Sequence, residues 1–473
     1  MNINPNIFRA YDLRGLVGTD LDDKVVEAIG KAYGTYLKRC GIYKALISRD
    51  CRANSEEYSD ALIRGFSWAG IDTVDIGMNL VGTFYWAQYY LEIKGGAFVT
   101  ASHNLPEFNG FKFAIDYSET LVSDGMAILC KMVQDDDFEQ GAVPGKIEKQ
   151  DIRKAYFDDI IQRLPLTKSF KVVIDPSCST AGVIVPDLLR QAGCEVIEKN
   201  CVIDPTFPLG AADPTELMVA ERVKSEVLES NADIGFSYDA DGDRIGIVDE
   251  KGGIIWNDVL VAIFAADVLH DHPKAIIMYN TLCSRIVEYT IVKSGGQPFM
   301  WRTGHSFLKK KNQEVGAAFI GELSGHFFFS TDFYNHDDGL YSTMRLLRYL
   351  AVTGRSLSEV IAELPKYISS AEIKLGCADD KKIKLIEGTS AQLVADFPNA
   401  EVISDERAGD GVRLNLPDAM LVVRYSQNGP YLTIKFEART QERYDEIKKY
   451  LKKLLMERKE IDWTFGVNVE GLD

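Results

Sequence analysis

A chain of 473 residues, 46% hydrophobic and 26% charged, is too long for a single core and has the make-up of an ordinary globular protein, for which three or four domains is the natural division. Its net charge of −17 argues against non-specific nucleic-acid binding, which needs a basic face to displace counterions from phosphates. No apolar run reaches the ~18 residues of a membrane span, and the start Met-Asn-Ile-Asn-Pro-Asn lacks a basic region ahead of an apolar one; eight scattered cysteines show neither a Cys-x-x-Cys pair nor zinc spacing. A cytoplasmic protein with reduced thiols and no membrane contact is expected.

The stretch 44–49, Lys-Ala-Leu-Ile-Ser-Arg, reads as a strand, followed by a polar turn over 50–55, a helical run ending at Gly70 and a second strand over 73–76. Gly96 to Val99 is a short apolar run, read as a buried strand that gives way to a polar loop carrying Ser102, His103 and Asn104; loops at strand ends are where open α/β sheets present their chemistry. Pro106 and Asn109-Gly110 keep this segment out of a helix, so Ser102 sits on a constrained loop ahead of Lys112. The strand-helix-strand order returns at 171–175, 185–192 and 195–197, and again at 275–279, 282–293 and 298–301. Such units are βαβ crossovers, and their helices stop at Gly70, Gly193 and Gly295 because the next residue must turn left-handed. The stops lie about 100 to 125 residues apart, one domain each.

The last hundred residues differ. The segments 371–375, 412–416, 420–425 and 431–437 look like four strands, and 440–459 is a charged amphipathic helix, which together make an α+β domain. With junctions near 135–145 and 251–253, the expected architecture is three similar α/β domains with mixed sheets, at 1–150, 151–253 and 254–367, followed by an α+β domain at 368–473.

Four loops carry chemistry besides structure. Asp239-Ala240-Asp241-Gly242-Asp243-Arg244 offers three carboxylates at alternate positions, hard ligands suited to Mg²⁺ or Ca²⁺. An EF-hand is excluded by Arg244 at the sixth loop position and by flanks, 234–238 and 245–248, that alternate like strands. Three carboxylates leave coordination positions open, as for an ion shared with a phosphate. Gly321-Glu322-Leu323-Ser324-Gly325-His326 frames an acid and a hydroxyl between glycines, a pattern fit to hold adjacent sugar hydroxyls or simply to turn the chain. Arg424-Tyr425-Ser426-Gln427-Asn428-Gly429-Pro430 follows a strand with a guanidinium, a hydroxyl and an amide, a phosphate cradle or an ordinary hairpin turn. Arg302-Thr303-Gly304-His305-Ser306 opens a helix over 307–311 whose N-terminus could face an anion. No Walker A loop or G-x-G-x-x-G fingerprint is present.

Taken in chain order, the serine loop Thr100-Ala101-Ser102-His103-Asn104 with Asn109-Gly110-Phe111-Lys112, then the loops 239–244, 321–326 and 424–430, with the opening Ile7-Phe8-Arg9-Ala10-Tyr11-Asp12-Leu13-Arg14-Gly15, resemble the α-D-phosphohexomutase family and most closely its phosphomannomutase/phosphoglucomutase branch. The resemblance covers essentially the whole chain, one loop per domain, and implies four domains around a central cleft. It also implies a phosphoserine at Ser102, Mg²⁺ held by Asp239, Asp241, Asp243 and the phosphoryl oxygen on Ser102, and a hexose 1,6-bisphosphate that activates the enzyme and forms as its intermediate. Arg244 adds positive charge, Glu322 and Ser324 would grip the sugar O3 and O4, and Arg424, Ser426 and Asn428 would take the standing phosphate. Lys112, then His305, then Arg14 rank as general bases, Arg14 last because a guanidinium stays protonated; His103 adjoins the nucleophile. The implied partners are small hexose phosphates, and the implied assembly is a monomer or weak homodimer. One departure stands out: the family's phosphate loop usually reads Arg-x-Ser-Asn-Thr-Glu-Pro or Arg-x-Ser-Gly-Thr-Glu-Pro, whereas here Gln427, Asn428 and Gly429 precede Pro430. Rival readings are a phosphomutase of another sugar such as glucosamine phosphate, a Mg²⁺-dependent sugar phosphatase, for which no Asp-x-Asp-x-Thr motif is apparent, and a non-catalytic binding protein, which would need neither nucleophile nor metal.

Overall fold

The computed structural model describes residue 1, residues 3–427 and residues 429–473. The chain divides into two units: Met1–Pro214 with Glu221–Gly253 and Tyr334–Ser356, and Thr215–Ala220 with Ile254–Phe333 and Leu357–Asp473.

The first unit holds two mixed sheets. In one, the strands lie in the order Leu13–Leu16, Phe108–Asp116, Gly95–Val99, Lys44–Arg49, Asp72–Met78 and Ile147–Lys149. The last four are parallel to one another and the first two antiparallel to their neighbours. Gly95–Val99 is buried at every position, as its unbroken apolar run predicts for a strand with neighbours on both sides. Helix Ser55–Ala69 ends at Gly70 with φ 84°, the left-handed stop read from the sequence. It crosses helix Asp23–Arg39 at glycines; a Cβ on Gly65 would lie 2.6 Å from the Glu27 carbonyl oxygen, so the two backbones pack in direct contact. Between them and the sheet, Tyr33 packs against Phe66 and Phe113, ring centroids 5.8 and 4.5 Å away.

The other sheet of this unit runs Ile245–Asp249, Ile234–Tyr238, Lys171–Asp175 and Glu195–Glu198, the first antiparallel and the rest parallel. Helix Gly339–Thr353 belongs to this unit although the residues before it, 254–333, do not. Its Thr343 hydroxyl meets the Tyr238 hydroxyl at 2.5 Å, and its N-cap Asp338 accepts from the Tyr341 N–H and the Tyr156 hydroxyl.

In the second unit, Gln297–Trp301, Ile276–Asn280 and Phe319–Gly321 are parallel and Phe327–Phe328 antiparallel. A further antiparallel sheet runs Glu401–Ile403, Gly411–Asn415, Ala419–Tyr425, Tyr431–Ala438, Ile373–Gly376 and Asp462–Val467. Helices Asp379–Asp396 and Gln441–Met456 pack on it over a core that includes Leu421, Ile434 and Leu451. The two sheets of this unit are joined by the buried Arg413, whose Nη1 donates to the carbonyls of Thr281 and Cys283 at 2.8 and 2.6 Å.

Several element ends differ from the sequence reading. The helix read from 282 begins at Arg285, because the Ser284 hydroxyl accepts from the Ile286 N–H and caps it there. The helix read over 307–311 runs His305–Val315, so His305 is its first residue and not part of the loop before it. Lys112 lies inside strand Phe108–Asp116, and Asn109-Gly110 is part of that strand, not of a turn. Among the described residues no helix is long and apolar enough to cross a membrane.

Candidate active site

Within the first unit, strand ends bring most of the sequence candidates to one place. Ser102 follows strand Gly95–Val99, and the aspartate loop joins the antiparallel strands Ile234–Tyr238 and Ile245–Asp249. The Ser102 hydroxyl donates to Asp239 Oδ2 at 2.9 Å and lies 3.1 Å from His103 Nδ1. Ser102 holds φ 49°, a left-handed conformation costing about 1–3 kcal/mol in a residue other than glycine. Arg14 reaches the same loop: its Nη1 donates to Asn104 Oδ1 at 2.6 Å, while Asp12 accepts from its Nε.

Asp239, Asp241 and Asp243 are all buried, with one oxygen from each lying within 4.8 Å of the others. The loop curls because Gly242 (φ 68°) donates back to the Asp239 carbonyl, while the N–H of Val81, at the start of helix Val81–Tyr90, holds the Asp241 carbonyl at 2.9 Å. Two cations face these acids. Lys112 Nζ lies 2.9 Å from Asp241 Oδ2 and 2.6 Å from Asp243 Oδ2. Arg244 donates from Nε to Asp239 Oδ2 at 3.0 Å and from Nη1 to Asp213 at 3.2 Å. Burial and the charge of Asp243 push the Asp239 carboxyl well above the usual range. Burial acts the same way on Asp241, yet Lys112 prevails and holds it at about 2. Burial disfavours the Lys112 ammonium, but its two carboxylates raise its pKa well above the ordinary value. Lys112, placed first among bases from the sequence, is thus paired with two of the three carboxylates.

The donor set suits a hard divalent cation. Three carboxylates converge, and Asp241 Oδ1 is a buried acceptor with no hydrogen-bond partner. Lys112 occupies oxygens that a cation would use.

Within the second unit, Glu322 lies in the turn between strands Phe319–Gly321 and Phe327–Phe328. Its Oε2 accepts from the Gly304 N–H at 3.1 Å and from Asn280 Nδ2 at 3.2 Å, and Gly325 (φ 97°) closes the turn by donating to the Glu322 carbonyl. Ser324 is half-buried in that turn. His305 stacks on His326, ring centroids 4.9 Å apart. The Arg424 guanidinium is gripped by both oxygens of Asp410, Nε to Oδ1 at 2.6 Å and Nη2 to Oδ2. It is thus already paired with an acid, where the sequence suggested a cation awaiting phosphate. Gln427 Nε2 adds to Asp410 Oδ2 at 3.2 Å, and the Ser426 hydroxyl accepts from the Gly429 N–H at 3.1 Å. Asn428 lies outside the described residues.

Sequence reading missed Asp410, Asp213 and Asn280, which orient Arg424, Arg244 and Glu322, and also Asp50 and Arg52 beneath the serine loop. Only Asp50 and Arg52 left a local signal: two charges in a turn directly after a buried strand, as Ser102 itself is placed.

Family models describing phosphoglucomutase/phosphomannomutase alpha/beta/alpha domains I, II and III match residues 5–140, 154–253 and 256–367. The chain is 37% identical over 443 residues to a phosphomannomutase/phosphoglucomutase of Pseudomonas aeruginosa, covering 94% of each, and 32% identical over 464 residues to a phosphoglucomutase of Neisseria meningitidis, covering 98% of this chain and 99% of the relative. The crystal structure of a phosphoglucomutase/phosphomannomutase family protein from Burkholderia thailandensis superposes with a TM-score of 0.87 at 34% identity, over 96% of this chain and 98% of that one. The three matched domains, the mixed sheets and the order of the loops agree: the chain belongs to the phosphoglucomutase/phosphomannomutase family of phosphate-transferring isomerases.

Proposed function

We propose that this enzyme interconverts the 1-phosphates and 6-phosphates of glucose and mannose through phosphorylated Ser102 and a hexose 1,6-bisphosphate. The observation that carries this reading is the Ser102 hydroxyl bonded at 2.9 Å to a carboxylate of a three-aspartate loop, in a chain of this family. The names of the relatives support glucose and mannose as the sugars.

Asp239, Asp241 and Asp243, with an oxygen of the phosphorylated Ser102, are the groups that would hold Mg²⁺, which when bound supplies counter-charge to the phosphoryl oxygens. The P–O bond to Ser102 breaks as a P–O bond to the sugar hydroxyl forms, and that hydroxyl's proton leaves to a base. Lys112 and His305 are the candidates for that base, Arg14 being excluded because its guanidinium stays protonated, while Arg244, and Lys112 when protonated, neutralise charge around the transferred group. His103 orients the Ser102 oxygen. Glu322 and Ser324 take the sugar O3 and O4, which are alike in glucose and mannose, so both sugars are accepted. Arg424 and Ser426, with Asn428, receive the standing phosphate. Asp410 fixes the guanidinium plane, leaving Nη1 outside its two-point grip. The bisphosphate then turns end for end and returns a phosphoryl group to Ser102. We assign one loop to each of four domains, 1–150, 151–253, 254–367 and 368–473, in a cytoplasmic monomer or weak homodimer whose eight cysteines are free thiols.

Phosphorus NMR of the protein with Mg²⁺, a trace of glucose 1,6-bisphosphate and either glucose 1-phosphate or mannose 1-phosphate tests this. Conversion of both to 6-phosphates is expected, at rates of the same order. Growth of inorganic phosphate alone would instead identify a phosphatase, and selective turnover of glucosamine 1-phosphate a different phosphomutase.

A further inference from the structure

Ser102 is held from behind by the turn that leaves the neighbouring strand. Lys44–Arg49 and Gly95–Val99 are parallel with Arg49 opposite Val99, so the residues after each emerge side by side. Asp50 uses this adjacency. Its N–H donates to the Val99 carbonyl, its Oδ2 accepts from the Thr100 hydroxyl at 2.8 Å, and its Oδ1 accepts from the Ser55 hydroxyl and the Arg52 N–H. The Thr100 oxygen in turn accepts from the Ser102 N–H at 2.8 Å.

Arg52 completes the support. Its side chain is 2% exposed, and its guanidinium faces four carbonyls of the serine loop. Nη2 donates to Ser102 and Asn104 at 2.7 and 2.6 Å, and Nη1 to Leu105 and Phe108 at 2.9 and 3.0 Å. Nε lies 3.2 Å from Asp50 Oδ2, and the Phe207 ring covers the group with its centroid 5.0 Å away. The two Nη nitrogens of the fork thus make four hydrogen bonds to backbone carbonyls, an arrangement a lysine cannot reproduce.

Both backbone polar groups of Ser102 are thereby fixed, its N–H on Thr100 and its carbonyl on Arg52, and its hydroxyl is left directed at Asp239. A left-handed serine persists only where its surroundings over-determine it, and these are the surroundings that do so. We infer that Arg52 and Asp50 are positioning residues for phosphoryl transfer, setting where the Ser102 oxygen stands relative to the aspartate loop. The inference rests on the reading that Ser102 carries the phosphoryl group.

The test is the single-turnover rate of phosphoryl transfer from glucose 1,6-bisphosphate to dephosphorylated protein, followed by intact mass with Mg²⁺ present, at a temperature well below each variant's thermal transition. Arg52→Lys keeps the charge and loses the fork; Asp50→Asn keeps the shape and weakens both the Thr100 and Arg52 contacts, and serves should Arg52→Lys fail to fold. A fall of about 10- to 100-fold is expected, the cost of displacing a reacting atom by about 1 Å. The end-point should remain one phosphoryl group per chain, and Mn²⁺ affinity, read by its paramagnetic resonance, should be unchanged because the three aspartates are intact. A folded Arg52→Lys or Asp50→Asn protein that is phosphorylated at the wild-type rate overturns the positioning role, as does a slow rate accompanied by an equal loss of Mn²⁺ binding. A wild-type protein that takes up no phosphoryl group on Ser102 overturns the reading beneath it, and with it this inference.

Discussion

Replacing Ser102 by alanine is expected to reduce mutase turnover on the order of 10⁴-fold or more, the scale on which removal of a covalent nucleophile is felt. Two effects accompany the change and have to be separated. Alanine keeps the strain of φ 49° and loses the hydroxyl bond to Asp239, whereas glycine loses the same bond but adopts this backbone freely. If the serine served only to shape its loop, Ser102→Gly would keep much of the activity. If it carries the phosphoryl group, both variants are equally inactive, and steady-state rates of glucose 1-phosphate conversion for the pair decide between the two.

Lys112→Met is expected to have the next largest effect, and one that splits between stability and rate. The ammonium lies 2.9 and 2.6 Å from two buried carboxylates. Removing one partner of a buried ionic group while the other stays costs about 3–5 kcal/mol, so without metal the variant should melt several degrees below wild type. Added Mg²⁺ should narrow that gap, because a divalent cation takes up the oxygens the lysine has vacated. The same competition predicts a tighter apparent Mg²⁺ affinity in the variant than in wild type. Turnover should nonetheless fall by about 10²- to 10⁴-fold at saturating Mg²⁺, since a positive group beside the transferred phosphoryl is lost. A melting temperature indifferent to Mg²⁺, with turnover close to wild type, would remove Lys112 from the site.

The parts of the molecule legible in its sequence share a cause: their signals are local. Strands Lys44–Arg49, Lys171–Asp175 and Ile234–Tyr238 are legible at their observed bounds because each is a short apolar run ended by polar turn residues. The serine and aspartate loops were legible because strand ends and alternating carboxylates are patterns within a few residues. What escaped depends on distant partners. Helix Val81–Tyr90 is buried along its first eight residues, so it shows no polar face to mark its period. Asn109-Gly110 looks like a turn, yet Gly110 belongs to a strand, where a Cβ would stand 1.9 Å from the Leu13 carbonyl oxygen, nearly a hundred positions earlier in the chain. Asp410, which fixes the Arg424 guanidinium, and Asp241 and Asp243, which pair with Lys112, are partners that no pattern in the sequence assigns to them. A charge announces itself in sequence, but its protonation state is set by neighbours that sequence does not place.

The most direct test of the account is where the phosphoryl group resides between turnovers. Dephosphorylated wild-type protein should gain one phosphoryl group on treatment with glucose 1,6-bisphosphate and Mg²⁺, fragmentation should place it on Ser102, and an excess of glucose 6-phosphate should remove it with formation of glucose 1,6-bisphosphate. Conversion of glucose 1-phosphate to glucose 6-phosphate by a chain that bears no phosphoryl group on Ser102 at any stage would contradict it.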